Sequence, residues 1–237
     1  MKLKKSHSLI FLVTVFIVIA LGFNFGCKGK KEEAGKMAQL VKLPDIKQRL
    51  AKYAPTEIAF NQNMLNDEQK KVLEKFIIAA KYMDNIFWRQ AYPEGLAIKE
   101  QLEKSSDLAD KDYLRFLIIN FGPFDRQDEN KPFIGSSLKP AGAGFYPPDL
   151  TKQEFQDYIA KHPELKEQFE SPYTVIRRKD GELVAVPYSV EYREELVPAA
   201  RYLREASEIS SNPSLKKYLL QRAEDLLSNN YYKSDCL

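Results

Sequence analysis

Histidine is almost missing from this 237-residue chain: His7 and His162 are the only two. A catalytic zinc site needs three or more nitrogen, sulfur or carboxylate ligands in fixed geometry. One body imidazole before a proline cannot supply that set, so His162 is read as a helix-start residue. A Ser-His-Asp triad would also have to use His162, and no Gly-x-Ser-x-Gly is present. Cysteine is as scarce. Cys27 and Cys236 lie near opposite ends, which excludes a disulfide scaffold. An excess of positive charge is lacking too. The 36 basic residues outnumber the 33 acidic ones only because Lys2, Lys4 and Lys5 open the chain; without them the count is 33 against 33. A neutral body lacks the basic stripe of a nucleic-acid binder, so no nucleic-acid partner is expected.

Residues 1–27 are read as an export signal. A basic start precedes an apolar run from Leu9 to Leu21, broken only by Thr14, and Gly26-Cys27 follows. The Gly-Cys ending suggests lipidation at Cys27 and a place in the bacterial cell envelope, lipid-anchored outside the cytoplasm. Asn24 departs from the usual small aliphatic residue. An uncleaved anchor is the alternative, at the short limit for a spanning helix. Either way the membrane is a partner through the N-terminus. Residues 28–36 form a charged tether, and 37–237 a mostly helical body.

The spacing predicts a mainly α fold of the α+β class, with one β-hairpin and a long ordered loop. Ile46, Leu50 and Tyr53 share a helical face after Pro44. Asn66 and Gln69 form a capping box for a helix reaching about residue 90. Further helices are expected near 96–104, from Leu108 to Asn120, from Thr151 through Ile159, and briefly after His162. Asp180-Gly181 between β-rich runs marks a hairpin. A helix over 190–210 contains Pro198, which should bend or split it. Asn212-Pro213 opens the last helix, through Leu227. The tail after Asn229 carries enough aromatics to resemble the entry to a further element.

The loop from Phe121 to Asp149 carries Gly, Pro, charge and aromatics together. Long loops without secondary structure are usually functional or disordered. Its apolar anchors favour an ordered loop lining a site or a domain junction. The candidate cleft residues are Phe124, Asp125, Arg126, Lys139, Phe145 and Tyr146. The carboxylates of the 125–130 stretch lack EF-hand spacing, and the favoured reading is a turn braced by Arg126, with Asp side chains accepting from backbone amides. Gly135, Gly142 and Gly144 follow the wrong order for a phosphate loop. A Nudix-type box at Gly181…Arg193-Glu-Glu fails, because Pro187 stands where its first glutamate belongs. No metal ligands are assigned.

The phrases "GPFDRQDENKPFIG", "KPAGAGFYPPDLTKQEF", "YTVIRRKDGELVAVPYS" and "LKKYLLQRAEDLLSNNYYKSD" resemble the N-terminal part of the dipeptidyl peptidase III family of zinc peptidases, in its shorter bacterial form. The likeness runs from about Leu65 to Asp235. It implies release of N-terminal dipeptides from short peptides by zinc-activated water, in a cleft between two lobes. The family's H-E-x-x-G-H and glutamate-rich helices do not occur in this sequence. The resemblance therefore implies an N-terminal, truncated segment that is inactive alone, holds no cofactor, and leaves zinc to a missing C-terminal part. Short peptides and a complementing C-terminal half are the expected partners. The alternative reading is a non-catalytic surface lipoprotein that binds peptides or a protein partner.

Overall fold

The computed structural model describes residues 40–237, so the expected signal, Cys27 and tether lie outside the described residues. Asn66 starts the longest helix as the sequence predicts. Its side chain accepts from the Gln69 amide at 2.8 Å, and the Gln69 side chain accepts from the Asn66 amide at 3.0 Å. This reciprocal cap fixes the start of α2 (Asp67–Ala91), after a short α1 (Ile46–Leu50). Then come α3 (Gly95–Glu103) and α4 (Leu108–Asn120), which ends on Phe121 in the left-handed region (φ 52°). Past the loop lie α5 (Lys152–Lys161) and α6 (Lys166–Phe169). The Thr151 hydroxyl caps α5 through the Glu154 amide at 3.1 Å. The Glu154 side chain does not reach back to complete a capping box with Thr151; its carboxylate binds Arg178 at 2.9 Å.

The loop carries a small ladder of its own, β1 (Phe124–Asp125) with β2 (Lys131–Pro132), which the sequence did not suggest. The expected hairpin is β3 (Thr174–Lys179) with β4 (Glu182–Pro187), antiparallel, with Ile176 opposite Ala185. Asp180 and Gly181 have φ of 52° and 89°, the pair of positive values that a type I′ turn demands. Helices α7 (Tyr188–Glu191), α8 (Arg193–Ile209), α9 (Pro213–Ser228) and α10 (Tyr232–Asp235) complete the chain. Pro198 sits inside α8 without splitting it; the break falls earlier, at Tyr192. Asn212 caps α9 through the Leu215 amide at 3.1 Å.

Residues Val41–Leu237 form one compact unit; of the other, Met1–Leu40, only Leu40 is described. Within Val41–Leu237, α8 packs between α2 and α9. Ile86, Tyr192, Leu196, Ala199, Ala200 and Ala223 fill the centre. Alternate residues of a strand face opposite ways, and the hairpin uses both sides. Val175 joins this helical core, whereas Ile176 and Leu183 pack with Phe169, Phe155 and Tyr158 under α5 and α6. Burying each such aliphatic side chain stabilises by roughly 1.5–3 kcal/mol. No helix among the described residues is long and apolar enough to cross a membrane.

Candidate functional site

The loop is held from below by the strand-like segment at 41–43. Leu43 donates to the Phe133 carbonyl at 3.1 Å and Gly135 to the Val41 carbonyl at 2.8 Å. Lys42 pairs with Asp110, and the Tyr113 hydroxyl donates to the Leu43 carbonyl. Phe133 is buried against Phe116, with ring centroids 4.7 Å apart, and Phe124 packs edge-on to Tyr92 at 5.0 Å. Asp125 is 1 % exposed. Its Oδ2 accepts from Arg49 Nη1 at 2.6 Å and its Oδ1 from the Gln127 amide at 2.9 Å.

The brace of this turn is therefore Arg49, not Arg126. Arg49 also reaches Asp45 at 3.0 Å and Asp128 at 3.3 Å. The side-chain bond to Asp45 is the main cause raising its already high pKa, with Asp125 adding to it. Arg126 instead turns back to donate to the Ile119 carbonyl at 2.6 Å. Lys139 is exposed and reaches Asn130 at 3.4 Å. Phe145 packs against the helical core. Of the six candidate loop residues, Tyr146 lines an open cleft.

That cleft has a volume of about 480 Å³ and is bounded by Pro93, Tyr146, Pro147 and Pro148 on its apolar side and by Arg89, Arg177, Arg178, Asp149 and Glu191 on its polar side. The size falls within the usual range for small-ligand sites. Gly144 sets its floor. A Cβ there would stand 2.0 Å from the Arg89 carbonyl oxygen, so no other residue fits without displacing backbone. The Gly144 amide donates to the Gln90 carbonyl at 2.8 Å, and Ile176 donates to the Phe145 carbonyl at 2.8 Å. The loop thus closes the outer edge of β3 in place of a third strand.

Three arginines from two elements converge. Arg89, in the last turn of α2, binds Glu195 at 2.9 Å and the Glu191 carboxylate at 3.3 Å, and its guanidinium lies 4.8 Å from the Tyr192 ring centre. Arg177 shares Glu191 at 2.8 Å and donates to the Gly144 carbonyl at 3.1 Å. Arg178, on the other side of β3, binds Asp149 at 2.8 Å and Glu154 at 2.9 Å. A guanidinium has five donors, and these two partners occupy only part of the Arg178 fork. Beside the cleft, burial pushes the Tyr188 phenol up to about 12, with Tyr192, Tyr146 and Tyr231 adding to the effect. The sequence held one weak signal for this set, the Arg177-Arg178 pair just before a turn. Arg89 and Glu191 looked like ordinary helix-surface charges.

His162 Nδ1 lies 3.5 Å from Glu164, and its ring is tilted over Tyr158 at 4.5 Å. No group of three or more His, Cys, Asp or Glu side chains is gathered for a metal among the described residues.

No family model matches the chain. Among curated proteins, Nudix hydrolase 3 of Arabidopsis thaliana is 28 % identical over 242 residues, taking in 80 % of this chain and 31 % of that protein. Among solved structures, DPP III from Caldithrix abyssi is 51 % identical with a TM-score of 0.78, covering 80 % of this chain and 36 % of that one. Dipeptidyl-peptidase III from Corallococcus sp. strain EGB is 37 % identical with a TM-score of 0.78, covering 84 % and 37 %. The chain spans about a third of the length of each of these relatives. Its Gly181 occupies a hairpin turn and its Glu195 is tied to Arg89, so the Nudix-box spacing that fails in sequence finds no counterpart in the fold. Half-identical sequence on a shared backbone, together with the loop phrases read from the sequence, places the chain in the dipeptidyl peptidase III-like family over the segment it covers.

Proposed function

We propose that this chain supplies one wall of a peptide-binding cleft in a dipeptidyl peptidase III-like metallopeptidase, and that the metal and the general base come from residues outside this sequence. The observation that carries the reading is the cleft itself. Tyr146, Pro147 and Pro148 offer an apolar surface beside the partly open Arg178 guanidinium. A short peptide has the matching chemistry: apolar side chains, backbone carbonyls and a terminal carboxylate. Arg178 would hold the carboxylate or a carbonyl through its remaining donors, since planar forks suit carboxylates. Arg89 and Arg177 would keep the floor rigid through Glu191 rather than touch the peptide. Alone the chain would bind peptides without cleaving them. A non-catalytic lipoprotein that presents the same cleft is the competing reading.

The test is anisotropy of a labelled tetrapeptide titrated with the full chain in detergent. Saturable binding that weakens about tenfold, near 1.4 kcal/mol, in both Tyr146→Ala and Arg178→Gln supports the cleft. Binding indifferent to both substitutions moves the peptide elsewhere and sinks it. Growing cells on a radiolabelled fatty acid would separate the envelope readings. Label in the wild-type chain and none in Cys27→Ser is the expected result; equal label in both would refute lipidation at Cys27.

A further inference from the structure

We propose that the outer face of α2 pairs with the same face of a second copy of this chain, antiparallel, about a two-fold axis passing beside Ile77. This face is unusually apolar for a surface helix. Ile77 is 50 % exposed and Phe60, on the preceding segment, 63 %. With Leu65, Leu73 and Ile78 they line an open groove of about 380 Å³, flanked by Lys70, Glu74 and Lys81. The inner side of α2 is already used by the core through Val72, Ala79 and Ile86. The outer stripe repeats at three and four residues, Lys70, Leu73/Glu74, Ile77, Ala80/Lys81, Asp84, which keeps it on one line of the helix.

The charges identify the occupant. Glu74, Lys81 and Asp84 make no hydrogen bond or ion pair among the described residues, and Lys70 has only an exposed contact with Asp67 at 3.9 Å. In an antiparallel pair centred on Ile77, positions equally distant from it on the two copies face each other. Lys70 then meets Asp84 of the second copy, and Ile77 meets Ile77. On one flank Glu74 lies within one residue's rise of the second copy's Lys81. On the other flank Leu73 meets Ala80. A two-fold contact is self-complementary by definition. This stripe is self-complementary in both sign and apolarity, four ion pairs framing an apolar centre. A parallel pairing would instead set each charge against itself.

Charge exchange tests it. Glu74 and Lys81 lie two turns apart on one helix, roughly 10.5 Å, so they do not pair within a copy. The full chain, in density-matched detergent, is followed by sedimentation equilibrium. It should dimerise. Lys81→Glu should weaken the dimer at least about tenfold, and Glu74→Lys should do the same. The double exchange Glu74→Lys/Lys81→Glu should restore wild-type affinity within about threefold. Both substituted sites are exposed, and unchanged thermal melts confirm folding. A monomeric wild type, a dimer indifferent to the single exchanges, or a double exchange no better than the singles would each overturn the proposal. The second of these would leave the dimer to another surface, and the first would leave the α2 face to a different protein.

Discussion

Replacing Arg49 by Met should destabilise the chain far more than removal of an ordinary surface arginine. Arg49 Nη1 lies 2.6 Å from an Asp125 oxygen, and Asp125 is 1 % exposed. Removing the cation leaves a carboxylate inside the protein with the Gln127 amide as its remaining close donor. Breaking a buried pair from one side costs about 3–5 kcal/mol. The bonds to Asp45 and Asp128 at the rim add at most about 1 kcal/mol. With a urea slope near 3 kcal/mol per molar, at the upper end for a unit of this size, the midpoint should fall by about 1–2 M. Trp88 is a built-in reporter. It is the single tryptophan, it is buried, and its ring sits 5.2 Å from that of Phe121 at the loop entrance. Asp45→Asn should barely move the midpoint. Arg49→Met/Asp125→Asn should recover more than half of the loss, because asparagine still accepts from Gln127 and carries no charge. A double variant as unstable as Arg49→Met alone would show that packing of the arginine, not an uncompensated carboxylate, sets the cost, and the reasoning would fail.

Gly144→Ala should lower stability by about 1–3 kcal/mol and abolish peptide binding at the cleft, since its methyl group would meet the Arg89 carbonyl; a variant with wild-type urea midpoint and affinity would contradict the close approach. Stability should also fall in alkali. Tyr188 is held protonated up to about 12 in the fold, above the ordinary phenol value of about 10. Between those values the unfolded chain releases the proton first. The contribution of this half-buried phenol is therefore whole below pH 10 and lost as pH rises through about 12. Tyr188→Phe should flatten that part of the stability–pH curve, and an unchanged slope would refute it.

Local signals in the sequence carried over to the structure with little loss. The Asn66–Gln69 cap, the Asp180-Gly181 turn and the Asn212-Pro213 start each need only neighbours in the chain, and each forms where the residues predict. The ordered loop was legible because Phe124, Phe133 and Ile134 had to be buried. What holds that loop was not. Arg49 and Asp125 are 76 residues apart, and nothing near Asp125 distinguishes a distant arginine from Arg126 next door. The cleft was half visible for the same reason. Tyr146 stood out within its loop. Its companions Arg89, Arg178 and Glu191 come from three other elements, and only folding brings them together. Pro198 misled for a different reason. A proline displaces the carbonyl one turn earlier, and the α8 helix absorbs this without breaking, while the actual interruption falls at Tyr192, whose backbone (φ −110°, ψ 28°) leaves the helical region.

The proposal that this chain contributes cleft wall but no metal site is tested most directly by elemental analysis of the purified full chain after dialysis from zinc-containing buffer. The account predicts no zinc retained in proportion to protein. One tightly held zinc per chain would contradict it, because the single imidazole of the body cannot hold a hydrolytic cation without partners that the described residues do not gather.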